Sequence, residues 1–325
     1  MTHATPWMER HQVLLYVGAL ALGAGFGMLV PAAARPLETA ITPVLALLLY
    51  ATFLGVPFAE IGRAVRDRRF LTTILIVNFV CAPAVAFVLS RFVAGDTAVL
   101  VGVLLVLLTP CVDYVIVFTG LAGGSRARLL AATPLLMLAQ MVLLPLYLWL
   151  MVGDTFAASL DLRPFIEAFV LLIVLPLGAA VATQLLARRV RWARRVDAAV
   201  TAAMVPLMIA TLAIVVASQV HAVAGSWAVL IALVPLYAAF AAIMAGVGAV
   251  AGRVARLDRP GRTAVVFSGV TRNSLVVLPL ALALPAGFAL TPLVVVTQTL
   301  VELLVMVTMV WAATRRPATQ PLSPR

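Results

Sequence analysis

The chain alternates between long apolar runs and short polar loops rich in arginine. A spanning helix needs roughly 20 predominantly apolar residues. Ten runs meet this, at about 12–30, 41–58, 69–92, 97–121, 127–152, 164–187, 197–219, 226–251, 262–284 and 290–313. The pattern predicts an all-α polytopic membrane protein of ten transmembrane helices. It forms a single transmembrane domain over 1–325, with a short cytoplasmic tail at 314–325. The fourth and ninth runs are interrupted by polar or helix-breaking residues.

Composition sharpens this picture. The chain is 64% hydrophobic and only 11% charged, whereas an ordinary soluble domain is about 25% charged. A soluble fold of 325 residues could not hide that much apolar surface, but a lipid-facing bundle has no need to. The first ten residues include Glu9 and Arg10, and the first run is long enough to span, so no cleavable signal is expected.

The net charge of +11 is carried by arginine, since the chain has no lysine. Because these arginines sit in short loops between apolar runs, they argue against nucleic-acid binding and report topology instead. The N-terminus, the loops around 59–69, 122–128, 188–196 and 252–262, and the C-terminus together hold 19 arginines. The alternate loops hold 3, namely Arg35, Arg91 and Arg163. This asymmetry predicts both termini in the cytoplasm and supports an even number of spans in the plasma membrane. Trp7, Trp149, Trp192, Trp227 and Trp311 fall near run ends, as an aromatic belt would place them.

A repeat organises the chain. Thr133-Pro134-Leu135 recurs 158 residues later as Thr291-Pro292-Leu293, and Gln140 recurs as Gln298. The same offset lays 109–113 over 267–271, so one interrupted run maps onto the other. Five spans per half is an odd number, so the halves (about 12–152 and 164–313) are expected in opposite orientations. Such inverted repeats are common in secondary transporters.

The two interruptions carry the candidate chemistry. In the fourth run, Pro110 removes a backbone donor within Leu108-Thr109-Pro110-Cys111-Val112-Asp113. In the ninth, Gly269 permits unwinding, and Thr271, Asn273 and Ser274 can cap a half-helix or satisfy freed backbone groups. A central carboxylate costs about 2.5–3.5 kcal/mol even on insertion scales, so Asp113 needs a reason to be there. Arg272 is its natural partner, either in a structural ion pair or at a substrate site. Half-helix ends facing a cavity would attract ions or polar solutes, which places the expected site between spans four and nine.

Other polar residues extend this set. Glu302 lies one turn after Gln298 on the same helix face and could exchange a proton, or serve as a protonated structural hydrogen-bonding group. Asn78 and Gln140 fit either the cavity lining or interhelical hydrogen bonding. Cys111 fits either a buried small hydrophobe or a ligand, whereas Cys81 beside Pro83 reads as packing. Gln184 and Gln219 fall at run ends. His3, His11 and His221 lie outside the membrane core. No resident metal cluster, catalytic triad or nucleotide loop is evident, so neither a cofactor nor enzymatic catalysis is expected, and energy would come from an ion gradient.

With these residues in view, the chain resembles the bile acid/arsenite/riboflavin transporter superfamily, whose members cross two broken helices within a five-plus-five repeat. Pro110-Cys111 followed by Val115-Ile116-Val117 resembles the arsenite efflux permeases. Those proteins carry a proline–cysteine pair on helix four and a late glutamate, matched here by Cys111 and Glu302. The chain departs from that pattern at Asp113 and in having Thr271-Arg272-Asn273-Ser274 where an Asn-Asn-rich break is usual. The resemblance implies a secondary transporter that exports arsenite, and antimonite as well, in exchange for protons, with Cys111 touching the arsenic(III) cargo. The alternative it implies is a sodium-coupled carrier of a bile-acid-type anion, with Asn78, Asp113, Gln140 and Asn273 as ion ligands and Arg272 as the anion's partner. A non-transporting membrane receptor is a third class, but it would not need ionisable groups in broken helices. The partners implied are lipid and a small solute, with neither nucleic acid nor an obligate protein.

Overall fold

The computed structural model describes residues 12–55, 66–112, 115–152, 170–223, 227–282 and 284–315. Among these the regular secondary structure is helical, apart from one isolated pairing of extended residues. α1 is Gln12–Leu29 and α2 is Ala34–Gly55. A third rod runs over Arg68–Val93 and comprises α3 (Arg68–Ile76), a π-helical turn (Val77–Cys81) and α4 (Ala82–Ser90). Then come α5 (Thr97–Leu107), α6 (Val115–Leu121) and α7 (Arg126–Val152). The second half contains α8 (Leu175–Ala187), α9 (Arg191–Ala202), α10 (Met204–Val223), α11 (Trp227–Val254), α12 (Arg259–Val270), α13 (Ser274–Leu282) and α14 (Thr291–Arg315).

Among the described residues, five helices are long and apolar enough to cross a membrane, and the bent pair α9–α10 makes a sixth span if it counts as one. Large apolar side chains such as Leu22, Val80, Val142, Ile231 and Leu304 point outward. Such a surface suits lipid, and the chain is a multi-pass helical membrane protein.

Helix contacts fall into two groups. α1, α2, α8, α9 and α10 pack together, while α3 to α7 pack with α11 to α14. In the first group, a Cβ on Gly23 would lie 2.6 Å from the Ala213 carbonyl oxygen, and one on Gly27 would collide with that of Ala217. Small residues spaced one turn apart let α1 approach α10 backbone to backbone, which is how helices associate where lipid supplies no hydrophobic drive. The second group holds both broken helices, with α3, α11 and α14 packed around them.

Proline shapes the third rod. Pro83 cannot donate to the Phe79 carbonyl, and the Tyr147 hydroxyl from α7 donates to that oxygen instead. The adjoining π-turn places Asn78 in the interior. Such π-turns recur at functional positions within helices.

Candidate functional site

Two broken helices meet at the centre of the second group. Asp96 caps α5 by accepting from the backbone N–H of Ala98 and Val99, at 2.9 and 3.1 Å. The helix ends at Leu107 because Pro110 offers no N–H to the last turn. The freed carbonyls find substitutes: Thr109 N–H donates to Val106, and the Thr109 hydroxyl donates to Leu105 at 2.8 Å. In the partner helix, α12 runs one residue past Gly269 to Val270, and the chain turns extended at Thr271. Asn273 then accepts from Val276 N–H at 3.2 Å and caps α13.

The extended segments pair antiparallel at Pro110 and Arg272. Cys111 N–H donates to the Thr271 carbonyl at 3.2 Å, and Asn273 N–H donates to the Thr109 carbonyl at 2.8 Å. One shift of 162 residues converts the first bond into the second. It also converts Asp96, which precedes α5, into Asp258, which precedes α12.

Arg272 is fully buried here. Its guanidinium donates to the carbonyls of Gly269 (2.7 Å), Ser268 (2.8 Å) and Leu107 (3.3 Å) and to Asn78 Oδ1 (2.8 Å). It also lies 5.4 Å from the centre of the Phe240 ring, within cation–π range. Its own backbone N–H donates to Glu302 Oε2 at 2.8 Å. Gln298 Nε2 donates to the same carboxylate oxygen. Thr299 donates to the Ser274 hydroxyl at 2.7 Å, tying α14 to the start of α13.

The structure therefore brings Asn78, Pro110, Cys111, Gly269, Arg272, Asn273, Gln298 and Glu302 into one connected cluster. Asn78 Nδ2 also donates to Ser268 Oγ at 2.9 Å. Gly269 serves close packing, since a Cβ there would meet Val77 Cγ1 at 2.8 Å. Cys111 is buried, as is common for an unoxidised cysteine, and neither it nor Cys81 is in a disulfide. Gln140 is buried on α7, which packs against both arms of the first broken helix. Asp113 lies outside the described residues. Beside Gln298 and Glu302 is a void of about 10 Å³, room for one water-sized molecule, also walled by Tyr237 and Phe240.

Several buried polar atoms make no hydrogen bond within the protein: both ends of the Gln140 amide, Asn273 Nδ2 and Gln298 Oε1. Such groups are costly in a dry interior and are the natural contacts of a polar solute. Sequence reasoning missed Phe240, because an aromatic in an apolar run carries no signal. It also missed the role of Ser268, whose hydroxyl and carbonyl both serve the cluster. Gln184, read as a residue of the run end, donates to the Leu54 carbonyl at 2.9 Å and ties α8 to α2.

A second polar focus lies at the loop ends. Arg128 pairs with Asp67 at 3.0 Å and with Asp258, the residues preceding α3 and α12. The hydrogen bond from Arg128 holds the Asp258 carboxyl below its ordinary value of 3.8. Nearby, Arg253, Arg259 and Arg262 line a cavity of about 570 Å³ among α11, α12 and α14.

A multi-pass helical bundle with a polar cluster at two crossed, broken helices has the build of a secondary transporter. The sodium bile acid symporter family profile matches residues 42–226, more than half of the chain, and the chain belongs to that family. The match includes Asn78, Cys111 and Gln140 and stops before Arg272, Asn273, Gln298 and Glu302. Comparison with curated proteins gave no match.

Proposed function

We propose that the chain is a ten-span exporter built as a five-plus-five inverted repeat in the plasma membrane, with both termini cytoplasmic, and that it exchanges arsenite (and antimonite) for protons. The shift of 162 residues supports the repeat. It relates the two bonds of the crossing and carries Gln140 onto Glu302, a position for position match between buried polar groups on α7 and α14. Apolar helices that fall short of a full span on their own, α1, α5 and α8, supply further crossings. Reporter fusions after Arg195 and at the C-terminus should both report cytoplasm, and a periplasmic signal at either would overturn this topology.

The observation that carries the cargo assignment is Cys111, a thiol held at the pairing of the two broken helices. Neutral arsenic(III) hydroxide is small and thiophilic. The thiol displaces one hydroxide from arsenic, forming one sulfur–arsenic bond and releasing one water, and hydrolysis reverses the step. A single thiol gives capture weak enough to release, as transport requires. Glu302 is the proton carrier. As a carboxylate it accepts from Arg272 N–H and Gln298. Protonation weakens this double acceptance and loosens the grip of α14 on the crossing. Everted vesicles should accumulate arsenite when a proton gradient is imposed, and collapse of the gradient should stop uptake.

The arginine-lined cavity of about 570 Å³ favours a second reading, a bile-acid-type organic anion coupled to sodium. It is large enough for such a solute and carries the right charge. Accumulation of that anion with sodium, and not of arsenite, would select it.

A further inference from the structure

Four oxygens around Arg272 come from the ends of two helices and one amide side chain. Leu107 is the last residue of α5, and Ser268 and Gly269 belong to the last turn of α12. The C-terminal carbonyls of a helix have no partner within it and carry its negative dipole end. Here two such ends converge on one point in a dry interior, joined by the amide oxygen of Asn78. Carbonyl and amide oxygens from broken helices are the ligands that transporters use for a coupling metal cation. In this chain the guanidinium sits among them instead, at 2.7–3.3 Å from all four. Phe240 closes one side with its ring face. A tethered cation does not dissociate, so it neutralises both helix ends through every stage of a cycle.

We propose that the Arg272 guanidinium is a built-in substitute for an alkali-metal ion, and that residue 272 determines ion selectivity by making the protein independent of sodium. The inference deepens the reading of the crossing as the coupling site and rests on it for its bearing on transport. The proton on Glu302 then remains as the mobile coupling charge.

The test is thermal unfolding of the purified full chain in detergent, in sodium, potassium and choline chloride at equal ionic strength. The wild-type protein should melt at the same temperature in all three salts. Arg272→Gln leaves the oxygens without a cation. It should melt lower in choline and regain about 5 °C or more, saturably, on adding sodium, as expected for a ligand that binds only the folded state. Arg272→Lys keeps a charge in the cage and should stay salt-indifferent. A saturable, sodium-specific stabilisation of wild type would overturn the proposal, as would a folded Arg272→Gln protein indifferent to sodium. If Arg272→Gln cannot be recovered in any salt, the Lys variant decides. A folded, salt-indifferent Lys protein supports the substitution of charge for ion, and failure of the Lys protein to fold refutes it. No cargo enters this measurement. A wrong cargo therefore leaves it intact, and its failure would leave arsenite export standing with a different ion.

Discussion

The backbone N–H of Arg272 donates to Glu302 Oε2 at 2.8 Å, so the carboxylate of one helix holds the break of another. The bond uses a main-chain donor that unwinding at Thr271 has freed. A change in the carboxyl's protonation therefore acts directly on the geometry of the crossing. Glu302→Gln keeps an oxygen able to accept from Arg272 N–H but cannot carry a proton. We expect normal abundance and melting temperature with proton-driven transport lost. Quantitative immunoblotting beside vesicle uptake checks this, and substantial proton-driven uptake by the variant would remove Glu302 from the coupling step.

Asn78 supplies a side-chain acceptor to the Arg272 guanidinium, at 2.8 Å, beside the backbone carbonyls of Leu107, Ser268 and Gly269. Truncation to Ala leaves a buried cation short of an oxygen and Ser268 Oγ without the Asn78 amide. Hydrogen bonds to charged groups contribute about 1.5–3 kcal/mol, so Asn78→Ala should lower the melting temperature by several degrees. Asn78→Asp restores an acceptor and should recover most of the loss. An unchanged melt for the Ala protein would show that the contact contributes nothing to the fold.

The Arg128–Asp258 pair has a definite pH signature. The folded carboxyl titrates below its ordinary value, so its contribution is present above 3.8 and is lost as pH falls through the lower folded value. Both side chains are partly exposed, which limits the effect to about 1 kcal/mol. Wild-type and Asp258→Asn proteins should therefore differ slightly in stability near neutrality and converge in acid. Parallel melting curves down to about pH 3 are the measurement, and a difference that grows in acid would reverse the sign.

Much of this architecture is legible in the sequence, for identifiable reasons. Pro110 in one apolar run and Ser268 to Ser274 in another cannot continue a membrane helix quietly, so the residue pattern alone marks both breaks. Position within the break is harder to read. Gly269 looks like the point of unwinding, yet the helix continues to Val270, because the missing Cβ is needed for approach to Val77. The spacing of 158 in TPLxxxxQ and the shift of 162 at the crossing differ by four residues, about one helical turn. Both registers therefore put Gln140 on the same helix face as Gln298 and Glu302. The contacts of Arg272 with Asn78 and Phe240 are not legible, because Asn78 is 194 residues away and Phe240 looks like any apolar-run aromatic.

Replacement of one atom tests whether Cys111 captures the cargo. Cys111→Ser is nearly isosteric, keeps the backbone bond to Thr271, and has little affinity for arsenic. Cellular arsenite accumulation should be measured in cells expressing wild-type and Cys111→Ser proteins at matched abundance. Cells with wild type should hold little arsenite, and cells with the serine variant should accumulate as much as cells lacking the protein. Wild-type exclusion by the serine variant would contradict thiol capture and shift the assignment to the organic anion.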